Sequence, residues 1–260
     1  MEHRPRKRFG QNFLHDANII ARIVDTINPK PEQQLVEIGP GQGALTSVLL
    51  ERIKHLDVIE LDRDLVTLLE KQFPHHEQLT IHSADALRFD YCQLAKEKIR
   101  LIGNLPYNIS TPLIFHLLEQ RHCIHDMHFM LQKEVVERMA AQPSTRAYGR
   151  LTIMVQLFCQ VEKLFTVPPG AFNPPPKVDS MIVRLVPYEA PQYEIKNQKL
   201  LREIVNQAFS QRRKTIRNAL KTMLTEDQIH SVGIEPGARP ETIPIQGFVN
   251  LANLLATIIK

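Results

Sequence analysis

The chain has 260 residues, 43% of them hydrophobic, and a formal net charge of only +4. That is enough apolar material for one full core and a smaller second unit, and the small total means that the placement of charge matters more than its sum. Cys92, Cys123 and Cys159 are scattered with no paired spacing, which argues against a metal site or a disulfide framework and for a reducing, cytoplasmic compartment. No long apolar run follows the charged N-terminus, so neither a signal peptide nor a membrane span is expected.

The first feature along the chain is the cluster Arg4, Arg6, Lys7 and Arg8. Such a cluster is by default a solvated tail, but it fits contact with RNA if the segment after it covers a ligand. Leu35 to Ile38 then reads as a short buried strand. Gly39-Pro40-Gly41-Gln42-Gly43-Ala44 follows, and an apolar run from Leu45 to Ile53 predicts a helix. Glycines at a strand–helix junction let a ligand approach the backbone and offer N–H groups at a helix start. Gly39, Gly41 and Ala44 also satisfy the dinucleotide fingerprint, so a nicotinamide-dependent dehydrogenase is a rival reading. The next strand, Leu56 to Leu61, carries Glu60 about twenty residues on, where an acid grips ribose hydroxyls.

Leu79 to His82 reads as a third strand with Asp85 just beyond it, an acid placed to accept from an adenine amino group. Ile99 to Gly103 is the fourth, and it ends on Asn104-Leu105-Pro106-Tyr107. Asn104 offers a side-chain carbonyl. Pro106 lacks an N–H and pushes Leu105 toward extended geometry, which tends to leave nearby carbonyls free to face a ligand. Tyr107 supplies a flat ring for stacking. Acceptors plus a stacking plate suit a planar exocyclic amine. Its lone pair is delocalised, and acceptor dipoles aimed at both N–H bonds favour the tetrahedral cation it becomes on methylation. A glycine turn, a ribose acid, an adenine acid and an amine-holding loop thus fall in order on successive strand ends, where open α/β sheets bind ligands. No hydride-positioning site is evident.

Thr152 to Phe158 and Met181 to Val186 read as further strands, the latter after the proline-rich loop Phe172 to Pro176. Pro187 to Pro191 marks a linker. Between Lys196 and Lys221 there are eight Lys or Arg against one acid, Glu203. Leu200, Leu201, Ile204, Val205, Ala208 and Phe209 fall at helical spacing there, so one face should pack while the other stays charged. Ser210 is placed as the N-cap of a further helix holding Arg212, Arg213 and Lys214. The bias favours a phosphate-binding surface. The tail from Leu224 shows helices and no chemistry.

The stretches Phe9–Leu14, Glu37–Thr46, Glu60–Asp62, Asp85, Asn104–Pro112, Tyr148–Leu151, Phe172–Ser180 and Phe209–Leu220 resemble the KsgA-type ribosomal RNA adenine dimethyltransferases. The antibiotic-resistance methyltransferases of large-subunit rRNA are similar, but resemble Asn-Ile-Pro-Tyr at the amine-holding loop. The resemblance implies an α/β fold, a Rossmann-like class I methyltransferase sheet with helices on both faces (1–188) plus a small helical RNA- and ribosome-binding domain (189–260). It implies S-adenosylmethionine as methyl donor, no metal, and two adjacent adenosines near the 3′ end of 16S rRNA as acceptors, within the small (30S) subunit. Each would be methylated twice at N6. By the same resemblance Asn12 and Leu14 cover the donor, Gly39 sits under it, Glu60 takes the ribose, Asp85 takes the adenine, and Asn104 lies between donor and target amine beside Pro106. Tyr107 and Phe172 would sandwich a flipped adenine. The expected protein is a cytoplasmic monomer without a membrane partner. A non-catalytic ribosome-assembly factor is the third reading.

Overall fold

A computed structural model of the chain describes residues 11–74, 77–211 and 213–259. The Arg4–Arg8 cluster, Phe9, Gly10 and Arg212 lie outside the described residues. The chain forms two compact units. One runs to Val136 and resumes at Val161–Pro187, and the other is Glu137–Gln160 together with Tyr188 onward.

In the first unit the chain lays down β1 (Phe13–Leu14), α1 (Ala17–Ile27), β2 (Leu35–Ile38), α2 (Ala44–Leu50), β3 (Leu56–Glu60), α3 (Arg63–Gln72) and β4 (Leu79–Ser83). β5 (Ile99–Asn104), α4 (Ser110–Glu119), β6 (Ile124–Gln132) and α5 (Lys133–Met139) follow. After α6 (Arg150–Gln156), which belongs to the second unit, come β7 (Cys159–Val167), β8 (Phe172–Asn173) and β9 (Ser180–Pro187). Seven strands form one sheet in the order β4-β3-β2-β5-β6-β9-β7, and β1 and β8 make a separate antiparallel ribbon. Strands β4 through β6 are parallel, whereas β9 runs antiparallel to β6. β2 and β5 are buried along nearly their whole length, as parallel strands covered on both sides must be.

The strand order reverses between β2 and β5, because the chain leaves β2 for β3 and β4 and returns on the other side. Such a switch point opens a crevice at the carboxyl ends of the two strands. Here those ends are Ile38 and Asn104. Gly103 is required at this place, since a Cβ on it would stand 2.6 Å from the Ile38 carbonyl oxygen.

Several expectations are corrected. Thr152–Phe158 is helix for most of its length, within α6, where Leu151 to Val155 are all buried. A short apolar run fits a buried helix as well as a buried strand, and periodicity cannot separate them. With it, residues 137–160 move to the second unit, so the expected boundary at 188 is one of three crossings. Cys92 and Cys123 are bonded as a disulfide, with Cα atoms 5.5 Å apart. β5 and α4 lie between them in sequence and bring the chain back, a return that spacing alone does not show.

In the second unit α7 (Gln198–Ala208) is capped by Asn197, whose side chain accepts from the amides of Lys199 and Leu200. It buries Leu201, Ile204, Val205 and Ala208 as its periodicity requires. α8 (Ile216–Leu220), α9 (Glu226–Ser231) and α10 (Ile245–Ile258) complete it. Ser210 is not an N-cap. Its hydroxyl donates back to the Gln207 carbonyl at 2.7 Å, and the next helix begins at Ile216, so Arg213 and Lys214 sit in the connection. No helix among the described residues is long and apolar enough to cross a membrane.

Candidate active site

One cavity of about 230 Å³ occupies the crevice at the β2–β5 switch point, far more than a bound water needs. Its lining includes Asn12, Leu14, Gly39, Glu60, Asp85, Asn104, Pro106 and Tyr107, so eight of the nine predicted site residues line one cavity.

The floor is the turn after β2. Gly39, Gly41 and Gly43 all take positive φ, a region that residues with a Cβ rarely enter. At Gly41 a Cβ would also come within 3.1 Å of the Phe13 ring, so a larger residue there would both strain the turn and press on the N-terminal segment. Glu37, at the end of β2, accepts from the Thr46 hydroxyl at 2.6 Å. Burial pushes its carboxyl up to about 7, the Thr46 bond opposes this, and the nearby Glu60 charge adds to it.

Glu60 ends β3. Its carboxylate accepts the Asp62 amide at 2.9 Å and the Gly41 amide at 3.4 Å, which fixes its orientation toward the cavity. Burial raises its pKa against those bonds. Asp85 lies past β4, with one oxygen accepting the Leu87 amide at 2.9 Å and the other 3.9 Å from the Arg88 guanidinium.

Asn104 ends β5. Its side-chain amide nitrogen donates to the Asn12 carbonyl at 3.0 Å, so the oxygen of the same amide is left for another donor. The loop carbonyls divide. Pro106 accepts from the Ile109 amide and Tyr107 from the Ser110 hydroxyl, so these two are taken. The Leu105 carbonyl has no partner among the described residues, while its amide donates to the Met130 carbonyl. Two acceptors, Asn104 Oδ1 and Leu105 O, therefore belong to neighbouring residues. The Tyr107 hydroxyl is tied to Ser180 of β9 at 2.7 Å.

Phe172 is the exception. It is 2% exposed and packed in the core, and it pairs with Leu14 across the β1–β8 ribbon. It does not line the cavity in this structure.

Likeness to known proteins bears on this geometry. Residues 2–257 match the ribosomal RNA adenine dimethylase family. The chain belongs to that family. This dimethylase is 57% identical over 257 residues to ribosomal RNA small subunit methyltransferase A of Pseudomonas syringae pv. tomato, covering 98% of this chain and 96% of that protein. The enzyme of the same name from Pseudomonas aeruginosa is 57% identical over 259 residues, covering 99% and 97%. Among solved structures, a dimethyladenosine transferase from Plasmodium falciparum superposes with a TM-score of 0.78 at 29% identity, covering 92% of this chain and 95% of that one. The 23S rRNA methyltransferase ErmE does so at 0.72 and 26%, covering 94% and 100%. The class I methyltransferase fold is thereby shown, and the dehydrogenase and non-catalytic readings gain no support.

Within the dimethylase, two contributors escaped the sequence and a third was legible only in part. Ser180 anchors a ring whose partner lies 73 residues away, Thr46 holds Glu37, and Leu105 offers its carbonyl rather than its side chain. Ser180 had one signal, its place at the end of the proline-rich stretch. Thr46 had none, whereas free carbonyls beside Asn104 were signalled by Pro106, which pushes Leu105 toward extended geometry.

Proposed function

We propose that this chain transfers methyl groups from S-adenosylmethionine to N6 of two adjacent adenosines near the 3′ end of 16S rRNA in the small (30S) subunit, giving N6,N6-dimethyladenosine during subunit biogenesis. It acts as a cytoplasmic monomer. The observation that carries the reading is the adjacent pair of open acceptors, Asn104 Oδ1 and Leu105 O, on the rim of a cavity floored by a glycine turn.

The residues present fit the donor. Glu60, oriented by two backbone amides, accepts the ribose hydroxyls. Asp85 keeps one oxygen clear of its backbone bond for the adenine amino group. Asn12, Leu14 and Gly39 line the same cavity and would enclose the donor. When bound, the donor supplies an electrophilic methyl on a sulfonium.

The acceptor base is flipped from an RNA loop, since its amine is unreachable within a stack. Tyr107 gives it a ring to lie against, held by the Ser180 bond. Phe172 lies in the core here and joins from the other side only after its surroundings, the β1–β8 ribbon among them, rearrange. Asn104 Oδ1 and Leu105 O accept the two N–H bonds of the amine and hold its lone pair toward the donor methyl. As the nitrogen becomes tetrahedral and positive, these fixed dipoles stabilise it without reorganising. The amine is neutral at pH 7, so no general base acts before attack, and the methylated ammonium loses its proton to water.

In the second unit Arg146, Arg213 and Arg239 line a hollow with Tyr148 and Phe209. We assign this basic surface to rRNA phosphates. The test of the whole reading is mass spectrometry of small-subunit rRNA from cells with and without this protein. N6,N6-dimethyladenosine present only with it supports the proposal, and identical adenosine modification in both overturns it.

A further inference from the structure

Cys92, His122 and Cys123 form a compact group, with one ligand atom of each within 4.8 Å of the others. Cys92 sits in the short turn Tyr91–Gln93 and is partly exposed, whereas Cys123 is buried at the end of the turn after α4. The two sulfurs are bonded to each other. The exposed His122 places its Nε2 3.4 Å from the Cys92 sulfur. A soft metal would need two separate thiolates, each about 2.3 Å from the ion, which bonded sulfurs cannot supply. The arrangement is instead that of a thiol pair with an adjacent base.

We propose that Cys92 and Cys123 are a reversible site of oxidative modification, with Cys92 the attacking thiol, His122 its base and Cys123 the resolving thiol. His122 takes the Cys92 proton, and the thiolate attacks the near oxygen of a hydroperoxide. The O–O bond breaks, Cys92 becomes a sulfenic acid, and the departing alkoxide or hydroxide leaves as alcohol or water with the proton His122 holds. The Cys123 sulfur then attacks the Cys92 sulfur and displaces hydroxide, which takes the Cys123 proton and leaves as water. The disulfide is the oxidised product, and exchange with an external dithiol restores both thiols.

Closure has a consequence for the cavity wall. The Tyr91 hydroxyl donates to the Ala86 carbonyl at 3.0 Å, and Ala86 lines the cavity beside Asp85. Gln120 clamps the same turn, accepting from the Tyr91 amide at 2.7 Å and donating to the Phe89 carbonyl at 3.1 Å. The disulfide fastens this turn covalently to the chain after α4, and so steadies the wall. This second claim rests on the donor reading of the cavity; the oxidation itself does not.

The experiment treats the fully reduced chain with hydrogen peroxide, counts thiols after denaturation, and maps the product by mass spectrometry. A fall from three thiols to one, with Cys92 linked to Cys123 and the buried Cys159 untouched, is expected. Cys123→Ser should leave a sulfenic acid at Cys92 that dimedone traps, and His122→Gln should slow the reaction about tenfold or more. Independent over-oxidation of both thiols, an unchanged rate in His122→Gln, or tightly held zinc masking the pair would overturn the site. Calorimetry with S-adenosylmethionine then compares oxidised and reduced chains. Weaker binding by about fivefold or more in the reduced form is expected. Equal affinity overturns the coupling to the wall, and binding by neither form overturns the donor reading instead.

Discussion

The Asn104 side-chain amide donates to the backbone carbonyl of Asn12, 92 residues earlier, at 3.0 Å. That bond ties the segment covering the cavity to the loop that ends β5. It also sets the amide's direction: with the nitrogen committed to Asn12, the oxygen is the end left for another donor. A carboxylate at this position would face the Asn12 carbonyl with a second acceptor, so the site distinguishes Asn from its near-isostere Asp.

The two roles proposed for Tyr107, anchoring through Ser180 and stacking on the base, separate on substitution. Tyr107→Phe keeps the ring and loses the bond to Ser180, worth about 0.5–1.5 kcal/mol, so kcat/KM should fall roughly two- to twelvefold. Tyr107→Ala also loses base stacking, about 1–3 kcal/mol more. Ser180→Ala should match Tyr107→Phe, and the double variant should be no worse than either. Steady-state kinetics on rRNA would refute the anchor if the two losses add.

Glu37 binds its proton more tightly folded than unfolded, since burial lifts it to about 7 from 4.5. Its contribution to stability is therefore complete below pH 4.5 and lost as pH rises through 7. Glu37→Gln should remove that loss and stabilise the chain at pH 8 by up to about 3 kcal/mol. Thermal denaturation between pH 5 and 8 measures this, and parallel curves for the two proteins would contradict it. The cationic donor should reverse the preference, so its binding near pH 6.5 should release a proton, read by calorimetry in buffers of different ionisation enthalpy.

His128 in β6 works the other way. Burial presses its pKa down to about 4; the Asp126 charge opposes this, while Arg100 and Arg184 reinforce it. Its Nδ1 has no hydrogen-bond partner among the described residues. Below pH 6.5 the unfolded chain takes a proton that the fold refuses, so stability falls as pH drops from 6.5 to 4, by up to about 3 kcal/mol. His128→Leu should flatten the pH dependence of urea unfolding in that window. An unchanged slope would show that the histidine is charged in the fold.

For the second unit, Arg213→Gln with Lys214→Gln should weaken rRNA binding without altering adenosine selectivity. The slope of log K against log salt should become shallower by about 0.7–0.9 for each phosphate that the protein no longer neutralises. Filter binding across a salt series tests this, and an unaltered slope removes the basic surface from the account.

How far the sequence carried these conclusions depended on what each residue does. Glu60, Asp85 and Asn104 were readable because they stand just past apolar runs, and chain order alone puts successive parallel strand ends on one edge. β6 escaped because Asp126 and His128 interrupt its apolar run. Asp126 is buried against Arg100 at 2.8 Å, a pairing that is invisible until two strands are adjacent. Phe172 shows the opposite limit. Its loop suggested an open ring, but Phe172 is buried in the core cluster, and no local signal reports that packing or the two-residue ribbon it joins. Cys92 and Cys123 meet only because α4 doubles back.

The most direct measurement is single-turnover transfer of labelled methyl from S-adenosylmethionine to small-subunit rRNA by Asn104→Ala and Asn104→Asp, with donor affinity determined in parallel. If Asn104 Oδ1 helps hold the reacting amine, both variants bind donor within a few-fold of the parent while transfer falls by about 100-fold or more. Transfer at the parental rate in either variant, with donor still bound, would contradict the account.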